Sequence, residues 1–170
     1  AAQLQPQQSV IFDSGSTALE AARAAAARGL PLIAVTNDLA IAQVLGAAPH
    51  IQVHVLGGQL RPGSATLVGD ALIASAATLH ADVLLCGAHA LTDGLITETS
   101  PEVAAAKRAL LRAARTRRLL VDASKFRPRT FMQVATLDEI DELICDDGLA
   151  VEEADRLRAM GKRLTLVSTS

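Results

Sequence analysis

The chain has 170 residues, half of them hydrophobic, but only 2% are aromatic, with three Phe and no Trp or Tyr. That length suits one domain, whose core must be built from Leu, Val, Ile and Ala, a composition that fits helices packed on a buried parallel sheet. The formal net charge of −2 offers no basic face, which argues against nucleic-acid binding by this chain, and no stretch is long or apolar enough to span a membrane.

Residues 1–8 are polar and Gln-rich and read as the end of a linker, as if a preceding domain were missing; residues 9–170 read as one domain. Ser9 to Phe12 is a first strand, ending in the turn Asp13-Ser14-Gly15-Ser16. Thr17 to Arg28 reads as a helix with Thr17 and Glu20 spaced as a capping box, and Gly29 ends it. Leu32 to Val35 is a second strand, followed by Thr36-Asn37-Asp38 and a short helix to about Leu45. Ile51 to Leu56 is a third strand, closed by Gly57-Gly58.

Leu60 to Thr66 reads as a loop and Leu67 to about Leu79 as a helix. Val83 to Cys86 is a strand closed by Gly87, with a loop through Asp93-Gly94. Ser100-Pro101-Glu102 is a helix start: Ser caps, Pro takes the first turn, and Glu suits the positive end of the dipole. The helix is expected to run to about Arg115, and the Lys and Arg residues from Lys107 to Arg118 read as a solvated face. Strands follow at Arg118 to Val121 and Asp141 to Cys145, then a helix from Glu152 to Met160, a stop at Gly161 and a last strand from Leu164 to Val167. The fold class is therefore α/β, an open, mostly parallel sheet with helices on both faces.

Ligands of such folds bind beyond the C-terminal ends of the strands. Small and polar residues gather there. Asp13-Ser14-Gly15-Ser16-Thr17 joins a strand to a helix; Gly15 permits a sharp turn, and free N–H groups and hydroxyls favour an anion, phosphate above all. The same residues equally make an ordinary capped turn, and they match neither the Walker loop nor the dinucleotide-binding glycine pattern. Lys125, three residues after Asp122, can neutralise a phosphate or remain a surface lysine, and Lys107 is a further cation for the same role. Thr36, Asn37, Asp93 and Glu102 suit sugar hydroxyls, although each also suits a cap or a turn. Cys86 and Cys145 sit in apolar runs and read as buried, inert thiols, and the four His have no metal-ligand spacing. No cofactor is expected, and a cytoplasmic location is the default.

A run of short motifs in order resembles the effector-binding domain of DeoR-family regulators: Asp13 to Thr17, Val35 to Ala42, Val55 to Arg61, Leu67 to Ala71, Ala81 to Ala88, Asp93 to Thr97, Glu102 to Lys107 and Asp122 to Phe126. The resemblance spans about Val10 to Asp147. It implies a fold similar to ribose 5-phosphate isomerase and a phosphorylated sugar or related metabolite as effector. The phosphate would lie on Ser14, Gly15, Ser16 and Thr17 with Lys125 close by, Thr36, Asn37, Asp93, Glu102 and Lys107 would sit around the sugar, and Asp13, Gly57 and Gly58 belong to the same effector-binding set at the strand ends. It further implies a dimer or tetramer whose operator DNA is bound by an N-terminal helix-turn-helix absent from this chain. Two positions depart from the family: Ser16 stands where Thr is usual, and Gly87-Ala88-His89-Ala90 lacks a second glycine. The rival reading is a working sugar-phosphate isomerase. It needs a base and groups to stabilise an enediolate; His89 follows Gly87-Ala88 where the isomerase pattern has Asp, and no Lys-Gly-Gly occurs. Binding without turnover is the expectation.

Overall fold

Short runs of Val, Ile and Leu between alanine-rich stretches make a seven-stranded sheet in the computed structural model, which describes residues 1–168. Its strands are β1 (Ser9–Phe12), β2 (Leu32–Thr36), β3 (Ile51–Val55), β6 (Ala81–Cys86), β9 (Ala114–Leu120), β11 (Glu142–Asp146) and β12 (Leu164–Val167), in the order β12-β11-β9-β6-β1-β2-β3. Every neighbouring pair in it is parallel. The helices are α1 (Ser16–Ala27), α2 (Leu39–Gly46), α3 (Asp70–Ala76), α4 (Pro101–Arg112) and α5 (Val151–Ala159).

The strand period of two assigns alternate side chains to two cores. Val10, Phe12, Val83 and Leu85 pack under α1 and α2 with Ala22, Ile41 and Leu45. Ile11, Leu84, Cys86 and Leu119 pack under α3, α4 and α5 with Leu72, Leu110 and Leu157. Val10, Ile11 and Phe12 are fully buried, as expected of a central strand covered on both faces.

Several local expectations are corrected. The cap of α1 is Gly15 and no side chain caps it, so Thr17 and Glu20 form no capping box: Thr17 already lies inside the helix. Leu67 does not start a helix. Leu67–Val68 (β5) pairs antiparallel with Gln59–Leu60 (β4), because Asn37 grips Leu67 through two hydrogen bonds of 2.7 and 3.0 Å and holds it extended. Helix α4 stops at Arg112 and the chain enters β9 at Ala114, whose pairing with β6 overrides the helical pattern up to Arg115. The loop after Gly87 contains a hairpin of β7 (Ala90–Thr92) and β8 (Leu95–Glu98), turning on Asp93 and Gly94 with φ of 51° and 77°. A further strand, β10 (Met132–Thr136), pairs antiparallel with β8. Asp38, by contrast, caps α2 as its side chain suggests, accepting from the N–H groups of Ala40 and Ile41.

The strand order decides where a site can form. From β1 the chain adds β2 and β3 on one side, and from β6 it adds β9, β11 and β12 on the other. The order therefore reverses between β1 and β6, and the crevice beyond their C-terminal ends lies between Asp13 and Gly87.

Candidate functional site

At the end of β1 the backbone N–H of Asp13 still donates to Leu85 on β6, at 3.0 Å. Its side chain is 1% exposed, and Oδ2 accepts the N–H of Gly87 at 3.2 Å and the Lys107 ammonium. Lys107 reaches down from the buried stripe of α4, is 5% exposed, and also donates to the Gly87 carbonyl at 3.0 Å. Glu98, at the end of β8, brings Oε1 to 3.6 Å from the same ammonium. Burial alone would pull the Lys107 ammonium down, but the charges of Asp13 and Glu98 outweigh it and hold it above its ordinary value of 10.5. Lys107 is thus a fixed cation rather than a nucleophile, and the expectation of a solvated helix face fails for it. Asp13 Oδ1 is buried without a hydrogen-bond partner.

The next residues turn away from the sheet. Gly15 has φ 121° and ψ 165°, outside the range of most side chains, and α1 begins at once with Ser16. The first N–H groups of a helix have no partner within it, so Ser16 and Thr17 present amides and hydroxyls together. A cavity of about 150 Å³ opens against them, lined by residues 14–18, 87–89, Glu98, Lys107 and Lys125. Lys125 ends a turn of 3-10 helix (Ala123–Lys125) capped by Asp122, whose carboxylate lies 3.9 Å from the lysine Nζ.

Of the residues singled out in the sequence, Ser14, Gly15, Ser16, Thr17, Lys107 and Lys125 line this cavity, with Asp13 behind Lys107. The others stand elsewhere. Thr36 is fully buried and its Oγ1 accepts the N–H of Asp38 at 3.1 Å; Asn37 holds the β4–β5 ribbon. Gly57 and Gly58 lead into that ribbon, and Gly58 is required there because a Cβ would meet the Val68 carbonyl oxygen at 2.5 Å. Glu102 is exposed and accepts from the Ser100 hydroxyl at 2.7 Å. Asp93, at the hairpin tip, pairs with Arg156 at 2.6 Å on the rim of a second, wider cavity of about 640 Å³. Arg127 lines that cavity and donates twice to the carbonyl of His89, at 3.0 and 2.7 Å, which ties it to the first cavity's loop. Glu98 is a lining residue that the sequence did not single out, and the polar end of the run Leu95 to Glu98 is the signal that could find it; His89, noted in the sequence only as a departure from the family and isomerase patterns, lines the cavity too. Among the described residues no cluster of His, Cys, Asp or Glu is arranged to hold a metal ion, and no helix is long and apolar enough to cross a membrane.

The arrangement sets helix-start amides and hydroxyls opposite a half-buried lysine across one cavity, on a doubly covered parallel sheet. Its fold is that of ribose 5-phosphate isomerase: the isomerase A from Methanocaldococcus jannaschii superposes with a TM-score of 0.52 at 14% identity, over 74% of this chain and 49% of that one. Residues 1–147 match the family model described as the DeoR C terminal sensor domain, and the chain belongs to that family. It is 36% identical over 158 residues to an sgc region transcriptional regulator of Escherichia coli, covering 91% of this chain and 59% of the relative. It is 31% identical over 166 residues to an aga operon transcriptional repressor of Escherichia coli, covering 96% of this chain and 61% of the relative. The chain thus spans about 60% of the length of these relatives. Kinship is with regulators, not enzymes, although the fold is shared with an isomerase.

Proposed function

We propose that this chain is the sensing domain of a DeoR-type transcriptional repressor, and that a phosphorylated sugar or related metabolite binds in the 150 Å³ cavity as its effector. The observation that carries this reading is the convergence of Ser14 to Thr17, at the start of α1, with Lys125 on one cavity at the point where the strand order reverses. Backbone amides at a helix start, hydroxyl donors and a lysine are together the chemistry of a phosphate site. A ligand held there ties the end of β1 to the turn after β9. Operator DNA is contacted by a helix-turn-helix outside this chain, in a cytoplasmic dimer or tetramer. An effector changes DNA binding only through its different affinity for the two states of that assembly.

The test is the melting temperature of the domain against sugar phosphates, each beside its free sugar. An ester at about a hundred times its dissociation constant adds about 2.7 kcal/mol, a rise of roughly 5–10 °C for a domain of this size. The reading requires a rise with an ester, none with its free sugar, and loss of the effect in Lys125→Ala. Steady isomerisation of a pentose or hexose phosphate would overturn it in favour of an enzyme.

A further inference from the structure

The buried cluster behind the cavity carries more negative charge than positive. Lys107 supplies one positive charge, whereas Asp13 and Glu98 supply two negative ones. It also has surplus acceptors. Lys107 donates to Asp13 and to the Gly87 carbonyl, and its 3.6 Å separation from Glu98 is too long for a hydrogen bond. Among the described residues no hydrogen bond to the Glu98 carboxylate is formed, and Asp13 Oδ1 is buried without a partner. Glu98 is only 9% exposed, and the space it borders is the cavity. Its oxygens meet solvent through the cavity, so an occupant that displaces that solvent must supply donors, because burying a carboxylate without them is costly.

The remaining lining has the opposite character. Ser14, Ser16, Thr17 and Lys125 offer donors and a positive charge. An occupant that satisfies both groups has one anionic end and a body bearing hydrogen-bond donors.

We infer that Glu98 is a specificity-determining residue of this cavity: it accepts hydrogen bonds from hydroxyl groups of a phosphate monoester, and its charge turns away ligands with a second anionic group at that position. This rests on the proposed phosphate site and adds to it a selection rule for the part of the ligand that is not phosphate. A simple anion site would not distinguish a polyol ester from an alkyl ester. This one does, because an alkyl chain leaves the Glu98 carboxylate buried without donors, whereas hydroxyls satisfy it. Discrimination of this kind is large because it adds the penalty of an unpaired charged acceptor to the loss of a hydrogen bond.

The experiment compares calorimetric dissociation constants of inorganic phosphate, propyl phosphate and glycerol 3-phosphate for the native chain, Glu98→Gln and Glu98→Asp. Propyl and glycerol esters have the same carbon skeleton and differ in hydroxyls alone. The native chain is expected to bind glycerol 3-phosphate at least about 10-fold more tightly than propyl phosphate, the ratio given by one hydrogen bond to a charged group. In Glu98→Gln that ratio is expected to fall to within about 3-fold of unity, while inorganic phosphate binds at least as well as before. Glu98→Asp, with its charge kept and its reach shortened, is expected to fall between the two. A native ratio near unity overturns the inference without recourse to any variant, as does an unchanged ratio in Glu98→Gln; Glu98 is then only a neighbour of Lys107. If none of the three probes binds the native chain, the phosphate site itself is refuted and the inference falls with it.

Discussion

Lys107 on α4 and Asp13 at the end of β1, 94 residues apart in sequence, form a buried ion pair behind the cavity. The pair joins the sheet to the helix that covers it, and through the Gly87 N–H and carbonyl it also joins β1 to β6.

Lys107→Met is therefore expected to destabilise the chain strongly, because it leaves the Asp13 carboxylate buried without its cation. Losing one partner of a buried pair costs about 3–5 kcal/mol, and a fall of roughly 10 °C in melting temperature is expected. The pH dependence has a definite sign. The Lys107 ammonium is held above its ordinary value of 10.5, so the stability it contributes is complete below that value and is lost as pH rises through its folded-state value. Denaturant titrations between pH 8 and 11 check both points. A loss below about 1 kcal/mol would mean that Asp13 is solvated rather than buried.

Glu142 makes the opposite prediction at acid pH. It is 2% exposed on β11, with hydrogen bonds from Gln3 at 3.1 Å and Thr165 at 2.7 Å and ion pairs to Arg118 and Arg163. Burial pushes its carboxyl up, but the bonds from Thr165 and Gln3 and the two arginines together hold it below 4.5. Its contribution is present above the unfolded-state value and is lost as pH falls through the folded-state value. Glu142→Gln is expected to cost about 2 kcal/mol at pH 7, with the difference from the native chain shrinking below about pH 4. A difference that does not vary with pH would place the effect in packing rather than charge.

Two glycines separate stability from binding. Gly58→Ala meets the Val68 carbonyl oxygen at φ 150° and is expected to cost about 2 kcal/mol or more while sparing phosphate binding, since the β4–β5 ribbon does not line the cavity. Gly15→Ala meets nothing within 4 Å, but its φ of 121° is strained for any side chain. It is expected to cost about 1–3 kcal/mol and to weaken phosphate binding, because the turn aims the amides of α1. Chemical denaturation and phosphate titration of both variants check the contrast; equal effects on binding would detach Gly15 from the site.

The thiols are expected to be inert in the folded chain. Burial pushes Cys86 up to about 12 and Cys145 up to about 11. At pH 8 iodoacetamide is expected to modify neither thiol until denaturant is added. Mass spectrometry of the peptides checks this, and rapid alkylation of Cys86 would show that the ends of β6 and α4 open readily.

How much of this was legible in the sequence depended on which interaction decided each element. Asp13 to Thr17 was readable because a strand, a glycine and a helix start adjoin within a few residues. Six of the seven parallel strands stood out as apolar runs set by local composition, whereas β9 was legible only from Arg118 because its first half, Ala114 to Arg117, is cationic and continues the helical pattern. The strands β4, β5, β7, β8 and β10 did not, because they are short and exist through partners distant in sequence: Leu67 is extended because of Asn37, and β10 because of β8. Lys107 was hidden in a helix rich in cations, yet Val103, Lys107, Leu110 and Leu111 share one buried face at helical spacing, and that pattern marks it as an inward lysine. Asp93 and Glu102 had the right chemistry for hydroxyls, but only the tertiary fold carries one to a hairpin tip beside Arg156 and the other to an exposed helix start.

The position of β1 at the centre of the sheet has a kinetic consequence. Ser9 is hydrogen-bonded to Asp82, 73 residues further on, so one edge of β1 stays open until β6 has been made. Every pairing in the main sheet requires a crossover, a topology of high contact order, and folding in the millisecond to second range is expected rather than microseconds. During synthesis β1, β2 and β3 emerge together with an unpaired, fully apolar edge at Val10 to Phe12, a template for intermolecular pairing. A chain cut short before Cys86 is accordingly expected to aggregate rather than remain a soluble half-domain, so the exposure of this molecule to intermolecular pairing is concentrated in the interval before β6 is completed.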